Sequence, residues 1–239
     1  MPSRMPTSWR TSSTTRMKKG NLIIYKTPDW LTAFSTGRDS GVEALGLTLV
    51  ELALPRQVHS DNVLWMHGAG RPEATDAVIT DRPGLCVCVK TADCIPVLLY
   101  DTKQRLVAAV HAGWRGTVSR IVQKTIKQMH PLNPKDLHAI IGPGISLEQF
   151  EVGDEVHETF KSADFPMDRI AKRYPSAAGS ERWHLDLWEA NRFLLEEMGV
   201  EDIYVEGTCT RTSMAFYSAR RETINTGRNY NGIFIKLKD

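Results

Sequence analysis

The chain has 239 residues, of which 41% are hydrophobic and 24% charged, a composition typical of soluble globular proteins. Its 30 basic and 28 acidic residues give a net charge of +2, which is too small to favour nucleic acid or an anionic membrane as the main partner. No apolar segment approaches the roughly 18 residues of a membrane-spanning helix, and the N-terminus has no signal-peptide core. We therefore expect a cytoplasmic protein that acts on a small molecule.

The first 20 residues differ in composition from the rest of the chain. Residues 1–20 are rich in Ser, Thr and basic residues and contain almost no aliphatic side chains. Such a segment buries too little apolar surface to offset the entropy of ordering, so we interpret it as a disordered leader, with Met17 as a candidate native start. The remainder, residues 21–239, shows neither an internal repeat nor a long linker, which indicates a single domain.

Short apolar runs with β-branched residues alternate with turn residues from Asn21 onward, a pattern that predicts strands. The predicted strands are 22–25, 47–54, 63–66, 76–80, 85–89, 95–100, 106–110, 137–141, 203–205 and 233–237. Two longer segments, 118–129 and 185–198, carry the helical period of apolar residues, and a third helix is expected at 152–160. Because strands dominate and helices are interspersed, we predict an α+β fold.

The four cysteines fit a reducing compartment better than a disulfide framework in a chain of this length. Cys86 and Cys88 share one face of a predicted strand, so we expect them to pack as small apolar side chains. Cys209 lies near a strand end, where we favour a structural role. Cys94 is the candidate for metal binding or nucleophilic chemistry.

The polar run 101–105 separates two predicted strands, so a hairpin is the simplest connection between them. If the pairing centres between the second and third residues of this run, Cys94 lies directly opposite His111, with Cβ atoms roughly 4.5 to 5.5 Å apart. A shift by one residue would place the two side chains on opposite faces. The opposed geometry suits either a metal bound by thiolate and imidazole or a Cys–His nucleophile pair.

A metal needs at least one further ligand, and His59 stands out because it lies in a polar turn between two predicted strands. The other histidines have no comparable neighbours; they are His67, His130, His138, His157 and His184. After His111, the glycines of the run 112–116 let the backbone approach a ligand closely. The same run offers an anion-binding guanidinium at Arg115 and a stacking surface at Trp114.

These residues resemble the YfiH family, also called the laccase-domain or polyphenol-oxidase-like family of purine nucleoside-metabolising proteins. The resemblance follows the family's order from about residue 34 to the C-terminus. The matching motifs are Phe34-Ser35-Thr36, Gln57-Val58-His59, Asp76-Ala77, Thr91-Ala92-Asp93-Cys94, His111-Ala112-Gly113-Trp114-Arg115-Gly116, Ile141-Gly142-Pro143, Leu185-Asp186-Leu187-Trp188, Cys209-Thr210, Tyr217-Ser218, Arg220-Arg221 and Thr226-Gly227-Arg228.

The resemblance implies a layered α/β/β/α sandwich with mixed sheets. It also implies a Zn²⁺ ion bound by His59, Cys94 and His111, with Cu²⁺ as the metal of an oxidase activity. The activities that it implies are phosphorolysis of adenosine, inosine and methylthioadenosine, deamination of adenosine, and a copper-associated oxidation of phenols. The expected partners are a purine nucleoside and phosphate, with no nucleic acid and no membrane.

Two departures from the family pattern affect the expected pocket. The arginine that follows Phe34-Ser35-Thr36 in the family is displaced by one position, to Arg38. The family's usual signatures before Gln-Val-His are largely absent between Gly41 and Arg56. We therefore expect one wall of the pocket to be shorter or more open.

Three protein ligands leave a fourth tetrahedral position open, as in catalytic zinc sites, where a bound water becomes a nucleophile near neutral pH. Such a water would serve deamination at the purine C6, whereas phosphorolysis needs an anion pocket and stabilisation of the departing base. Guanidinium groups match phosphate in bidentate fashion, and the candidates are Arg38, Arg115, Arg220 and Arg221. Pairing with surface acids is the alternative for Arg220 and Arg221.

Two polar residues beside the predicted ligands have open roles. Asp93 is a candidate for orienting a ligand histidine or transferring protons, with turn capping as the structural alternative. Gln57 either hydrogen-bonds substrate or positions the loop of His59.

Three other functions remain as alternatives. Without a metal, Cys94 and His111 would be the nucleophile and base of a cysteine hydrolase. A copper oxidase normally needs several copper sites, and a non-catalytic zinc module would be closed by a fourth protein ligand, which the sequence does not show. We therefore predict a zinc-dependent purine nucleoside enzyme, with phenol oxidation as a side activity.

Overall fold

The computed structural model describes residues 17–19, 21–129, 133–175 and 179–237. The strands in these ranges are β1 (Met17–Lys19), β2 (Leu22–Ile24), β3 (Leu31–Ser35), β4 (Leu52–Ala53), β5 (Val63–Trp65), β6 (Ala77–Thr80), β7 (Cys86–Thr91), β8 (Ile95–Asp101), β9 (Leu106–Ala112), β10 (Leu137–Ile141), β11 (Glu151–Val152), β12 (Ala171–Pro175), β13 (Glu181–Leu185), β14 (Asp202–Val205) and β15 (Asn229–Ile235). The α-helices are α1 (Trp114–Val118), α2 (Ile121–Gln128), α3 (Asp154–Ser162), α4 (Met167–Ile170) and α5 (Leu187–Glu197). Short 3-10 helices cover Val42–Leu45, Pro134–Asp136 and Leu147–Gln149. None of the helices in the described ranges is long and apolar enough to cross a lipid bilayer.

Two six-stranded sheets form the body of the molecule. Sheet A has the strand order β1-β2-β3-β15-β7-β4, and sheet B has the order β14-β10-β8-β9-β6-β5. Both are mixed, because β4 runs parallel to β7 in sheet A, while β5 and β14 run parallel to their neighbours in sheet B. A smaller antiparallel sheet has the order β11-β13-β12.

The apolar side chains form three layers of core around the two sheets. Between sheets A and B, the inner faces supply the buried residues Val78, Val87, Val89, Leu98, Val107 and Ile233. The outer face of sheet B packs against α2, α3 and α5. On the outer face of sheet A, the covering segment in the described part of the chain is the 3-10 helix Val42–Leu45 and the loop after it. This mixed α/β arrangement of one domain confirms the predicted fold class, with a 3-10 helix and a loop, and not an α-helix, as the layer on sheet A.

The predicted hairpin is present as β8 and β9, but its register differs from the prediction. His111 pairs with Pro96, not with Cys94, and the pairing ends at Asp101 and Leu106. The carboxylate of Asp101 accepts two backbone N–H bonds within the loop, at 2.8 and 2.5 Å, and so stabilises a loop wider than a two-residue turn. Because the shift in register is even, it leaves Cys94 and His111 on the same side of the hairpin.

Other predicted elements are corrected by the structure. The predicted strand 47–54 is reduced to β4. The predicted helix 118–129 is split into α1 and α2 at Arg120, whose φ of 60° is left-handed. The strands β3, β11, β12 and β13 were not predicted. Cys86 and Cys88 are both fully buried on the outer face of sheet A, as their spacing predicts.

The predicted disordered leader, residues 1–20, lies outside the described residues except for its segment 17–19. That segment forms β1 and pairs antiparallel with β2. These three residues belong to sheet A, and the leader over residues 1–20 stays a prediction.

Candidate metal centre

His59, Cys94 and His111 form one cluster. Their ligand atoms, a sulfur and two ring nitrogens, all lie within 4.8 Å of one another. His59 lies in the loop between β4 and β5, Cys94 directly precedes β8, and His111 lies near the end of β9. Within the described ranges no other group of three or more histidine, cysteine or acidic side chains has this spacing. The hairpin and the polar turn thus bring together the three residues that the sequence analysis selected.

The trio runs from the core to the surface. His111 is 3% exposed, Cys94 is half-buried and His59 is exposed. The two imidazole rings meet edge to face with their centroids 4.8 Å apart, and both hydrogen-bond to the thiol of Cys94. The cluster is therefore anchored through His111 and accessible from the side of His59.

The sulfur and the buried imidazole shift each other's protonation. Burial raises the pKa of Cys94, but the charge of His111 and the hydrogen bonds from both histidines outweigh burial and lower the pKa to about 6. Burial lowers the pKa of His111, but attraction to Cys94 and the hydrogen bond to Asp76 outweigh burial and raise the pKa to about 9. Near neutral pH the pair is thus thiolate and imidazolium, and the thiolate is the form that binds metals or attacks electrophiles.

Asp76, directly before β6, is the carboxylate that orients the centre, and it is 0% exposed. Its Oδ1 lies 2.8 Å from Nδ1 of His111, and its Oδ2 accepts the hydroxyl of Ser60 at 2.7 Å. Burial raises the pKa of Asp76, but the hydrogen bonds from His111 and Ser60 outweigh burial and lower the pKa to about 2. Because Asp76 engages Nδ1 of His111, Nε2 is the ring nitrogen left for Cys94 or a metal.

The loop that carries His59 is held from two sides. His59 has a φ of 61°, a left-handed conformation that non-glycine residues rarely adopt. The carboxylate of Asp76 stabilises it by accepting the backbone N–H groups of residues 58–60, at 3.2, 3.0 and 2.8 Å. On the other side, the amide of Gln57 donates to the carbonyl and accepts from the N–H of Lys90, both at 2.8 Å. Of the two roles open to Gln57, the structure shows these loop-positioning contacts.

Gly113, directly after β9, makes room for the ligands. A Cβ atom at this position would lie 3.1 Å from Sγ of Cys94 and 3.1 Å from Cδ2 of His59. Any residue can adopt its φ of −70°. The glycine is therefore needed because a side chain would not fit here, and not because of the backbone conformation. The predicted close approach of the backbone is therefore an approach to the metal ligands themselves.

Trp114 and Arg115 follow Gly113 in the first turn of α1. The guanidinium carbon of Arg115 lies 4.3 Å from the centroid of the Trp114 ring, so the predicted stacking surface and the predicted anion-binding group are stacked on each other. Arg115 is exposed, and its side chain has no hydrogen bond or ion pair with the described part of the protein. Its N–H donors are thus open to a ligand.

Arg221 is engaged by the protein itself. Both of its terminal nitrogens donate to backbone carbonyls, four in all between residues 210 and 216, at 2.6 to 3.1 Å. It also pairs with Glu222 at 2.8 Å, one of the surface-acid contacts considered above. The prediction of Arg221 as an open phosphate ligand is therefore corrected, because its donors clamp the loop.

Arg38 and Arg220 are less completely engaged. Arg38 pairs with Glu222 and covers the ring of Tyr217, with its guanidinium carbon 4.4 Å from the ring centroid. Arg220 is exposed and donates from Nη1 to the carbonyl of Glu151 at 3.0 Å. Their predicted contact with substrate stays a prediction.

The carboxylate of Asp93 bonds to groups other than His111, although Asp93 precedes Cys94 in the chain. Its carboxylate accepts the hydroxyl of Thr210 and the backbone N–H of Arg220, both at 2.6 Å. The carboxylate that orients His111 is therefore Asp76, which corrects the orienting role considered for Asp93. Proton transfer by Asp93 stays a prediction.

Asp76 was missed as a site residue by the sequence analysis. The available signal was its match to the family motif Asp76-Ala77 at the start of a buried strand. Adjacency to Cys94 in the sequence favours Asp93 for this role instead.

Comparisons with known proteins show what this chain is similar to. A family model described as multi-copper polyphenol oxidoreductase laccase matches residues 7–236. The purine nucleoside phosphorylase of Bacteroides thetaiotaomicron is 44% identical over 201 residues, which cover 77% of this chain and 73% of that protein. Adenosine deaminase RL5, from an unknown prokaryotic organism, is 39% identical over 207 residues, covering 80% and 78%. The crystal structure of the Bacillus licheniformis hypothetical protein YfiH has a TM-score of 0.83 at 25% identity, covering 94% of this chain and all 100% of the other.

Proposed function

The chain belongs to the laccase-like YfiH family, and from this premise we propose that it is a zinc-dependent enzyme that acts on purine nucleosides. Relatives at 44% and 39% identity are named purine nucleoside phosphorylase and adenosine deaminase, and we propose both reactions for this chain. The observation that carries the proposal is the cluster of His59, Cys94 and His111, with Asp76 behind the buried imidazole.

The donor set fits a zinc ion. Thiolate sulfur and imidazole nitrogen bind Zn²⁺ at about 2.3 Å and 2.0 to 2.1 Å, and a carboxylate on the far nitrogen is the usual support of a zinc-binding histidine. The lowered pKa of Cys94 provides the thiolate near neutral pH, and the imidazolium of His111 must lose a proton for its ring nitrogen to bind the ion. When bound, the ion would supply a Lewis acid with an open coordination position, which suits activation of water or of a departing base.

The residues around the trio account for substrate binding. We propose that Arg115 binds phosphate in the phosphorolytic reaction, because it is exposed, follows Gly113 closely and keeps its donors open. The ring of Trp114 holds the guanidinium in place by stacking. Asp76 keeps His111 in the required orientation, and the space left by Gly113 keeps the ligand atoms close together.

A metal-free cysteine hydrolase is the second candidate. Asp76, His111 and Cys94 form a hydrogen-bonded chain of carboxylate, imidazole and thiolate, which is the arrangement of an activated nucleophile. In that reaction the sulfur of Cys94 attacks a carbonyl carbon and His111 returns a proton to the leaving group. His59 is not part of this hydrogen-bonded chain of three residues. His59→Ala should therefore abolish zinc binding but leave the activity of a cysteine hydrolase intact.

Copper-dependent oxidation of phenols rests on the name of the matched family. A multicopper enzyme needs several clusters of ligands, whereas the part of the chain that the structure describes contains the trio alone. We therefore propose phenol oxidation only as a side activity.

The deciding experiment measures bound metal and products for the purified protein incubated with adenosine, with and without phosphate. We expect stoichiometric zinc, with adenine released when phosphate is present or inosine formed without it. Cys94→Ala should lose zinc and turnover together, while Cys209→Ala, a cysteine outside the trio, should keep both. Absence of turnover of adenosine, inosine and methylthioadenosine would refute the proposal. Hydrolysis of an amide or ester substrate that survives His59→Ala without zinc would favour the cysteine hydrolase.

A further inference from the structure

A cluster of basic side chains lies at the end of sheet A, separate from the metal trio. Lys90 is near the end of β7 and is paired with Tyr230 of β15, so the two side chains lie on the same face of the sheet. Cys88, which shares that face, belongs to the apolar cluster on the outside of sheet A, as does Tyr230. The half-buried Lys90 is therefore where this apolar outer face ends.

Three arginines from separate segments approach Lys90. Arg56 lies alongside it, because β4 runs parallel to β7 and Gln57 bonds to the backbone of Lys90. Arg71 is in the next segment, since the N–H of Arg56 bonds at 2.9 Å to the carbonyl of the residue after Arg71. Arg228 directly precedes β15, which pairs with β7 on its other side. Four basic residues thus converge from four parts of the chain.

Little negative charge balances this cluster. Arg56 pairs with Glu73 at 3.0 Å, and the guanidinium of Arg228 donates to backbone carbonyls of its own turn, residues 224–227. Lys90 and Arg71 have no carboxylate partner within the described ranges, and no carboxylate there neutralises the charge of Arg228. Burial, and then repulsion from Arg71, Arg228 and Arg56, lowers the pKa of Lys90. Because like charges gathered at a half-buried position repel each other, a bound anion would stabilise this arrangement.

We propose that Lys90 and Arg71, with Arg56 at the edge and the positive charge of Arg228 nearby, form a second binding site, which takes a phosphate group. Guanidinium groups match pairs of phosphate oxygens, and a lysine adds a point charge beside them. The ligand is either free orthophosphate or the phosphate of a nucleotide, since the same oxygens are recognised in both. The test of this site does not depend on the reaction at the trio, because a binding measurement alone shows whether phosphate occupies it.

Isothermal titration of the full-length protein with orthophosphate, and separately with adenosine 5′-monophosphate, tests the site. Lys90→Met and Arg71→Met should each weaken binding about tenfold. Arg71 is exposed, so its removal does not endanger folding. The matched control is Lys103→Met, an exposed lysine in the loop between β8 and β9, which should bind as the wild type does.

The outcomes separate the two sources of phosphate and the two sites. Weakened orthophosphate binding in the Lys90 and Arg71 variants identifies free phosphate as the ligand, and a loss confined to the nucleotide identifies its phosphate group. Unchanged binding of both probes in both variants, or no binding by the wild type, would overturn the site. Arg115→Met distinguishes this inference from the proposed function. If Arg115→Met alone loses phosphate, the binding belongs to the metal centre and the second site is refuted.

Discussion

The metal centre and the segment 209–228 each gather several charged side chains, but they use them in opposite ways. In the metal centre, Asp76 accepts hydrogen bonds from His111 and from the loop of His59, which leaves the sulfur and the free ring nitrogens facing one another. In segment 209–228, Arg221 donates to four backbone carbonyls and Asp93 accepts from the same segment. The difference teaches that residue types alone identify a polar cluster. A binding site is identified by the polar atoms that have no hydrogen-bond partner within the protein.

Asp76→Asn should weaken the metal centre the most. Asparagine keeps the shape but loses the charge, and its amide NH₂ replaces one oxygen that accepts hydrogen bonds from His111 or residues 58–60. We expect metal binding to weaken about 10- to 100-fold. We also expect the free energy of unfolding to fall by about 3 kcal/mol, because buried donors lose their acceptor. Competition with a metal-sensitive dye and urea unfolding measure the two effects.

The control for this substitution is Asp81→Asn, an exposed carboxylate shortly after β6, which should change neither quantity. Metal affinity equal to that of the wild type in Asp76→Asn would show that the orientation of His111 does not depend on this carboxylate.

Arg221→Met should destabilise the segment 209–228 without affecting the reaction at the metal centre. The substitution leaves backbone carbonyls between residues 210 and 216 without their donor, so we expect the free energy of unfolding to fall by about 2 kcal/mol. The KM for phosphate should stay unchanged in the folded enzyme. Arg115→Met should show the reverse pattern, with unchanged stability and a raised KM for phosphate. A raised KM with full stability in Arg221→Met would restore Arg221 as a phosphate ligand.

The central strands were predictable from the sequence because β8 and β9 are buried on both faces and form continuous apolar runs. The small sheet was not, because β12 consists mainly of exposed or half-exposed polar residues without alternation. The break between α1 and α2 was also not predictable from the sequence. Its left-handed residue, Arg120, is held by Glu197 and by the carbonyl of Ala163, and such distant contacts leave no mark on the helical period.

The trio was predictable because the hairpin fixes which side Cys94 and His111 share, and an even error in register does not change that side. Asp76 was not predictable as the orienting residue from the residues alone, because its bonds to His111 and to the loop of His59 join positions distant in sequence. The prediction of Arg221 as a phosphate ligand was wrong for a related reason. A single sequence does not show how many donors of Arg221 the backbone already occupies.

Gly113→Ala sharpens the comparison because it changes only the space available to the ligands of the metal centre and adds no charge or hydrogen-bonding group. The added methyl would lie 3.1 Å from Sγ of Cys94 and from Cδ2 of His59, so the ligands must move apart. We expect metal binding to weaken about tenfold, which corresponds to about 1.4 kcal/mol, measured by dye competition. Gly68→Ala is the matched control, because a Cβ there meets nothing within 4 Å. Equal affinity in both variants would show that the trio tolerates a wider spacing.

Asp186, which caps the N-terminus of α5, carries the smallest predicted effect and tests the comparison on a second carboxylate. Burial, with added repulsion from Glu189 and Glu148, raises its pKa from 3.8 to about 6, because it accepts few hydrogen bonds where Asp76 accepts many. Between about pH 4 and pH 6 the folded state binds more protons than the unfolded state, so stability falls as the pH rises through this window. Asp186→Asn keeps the capping oxygen without the charge and should be more stable than the wild type by about 1 kcal/mol at pH 8, with no gain at pH 4. Urea unfolding at both values measures this difference, and a gain that does not vary with pH would mean that donors, and not burial, control the charge of Asp186.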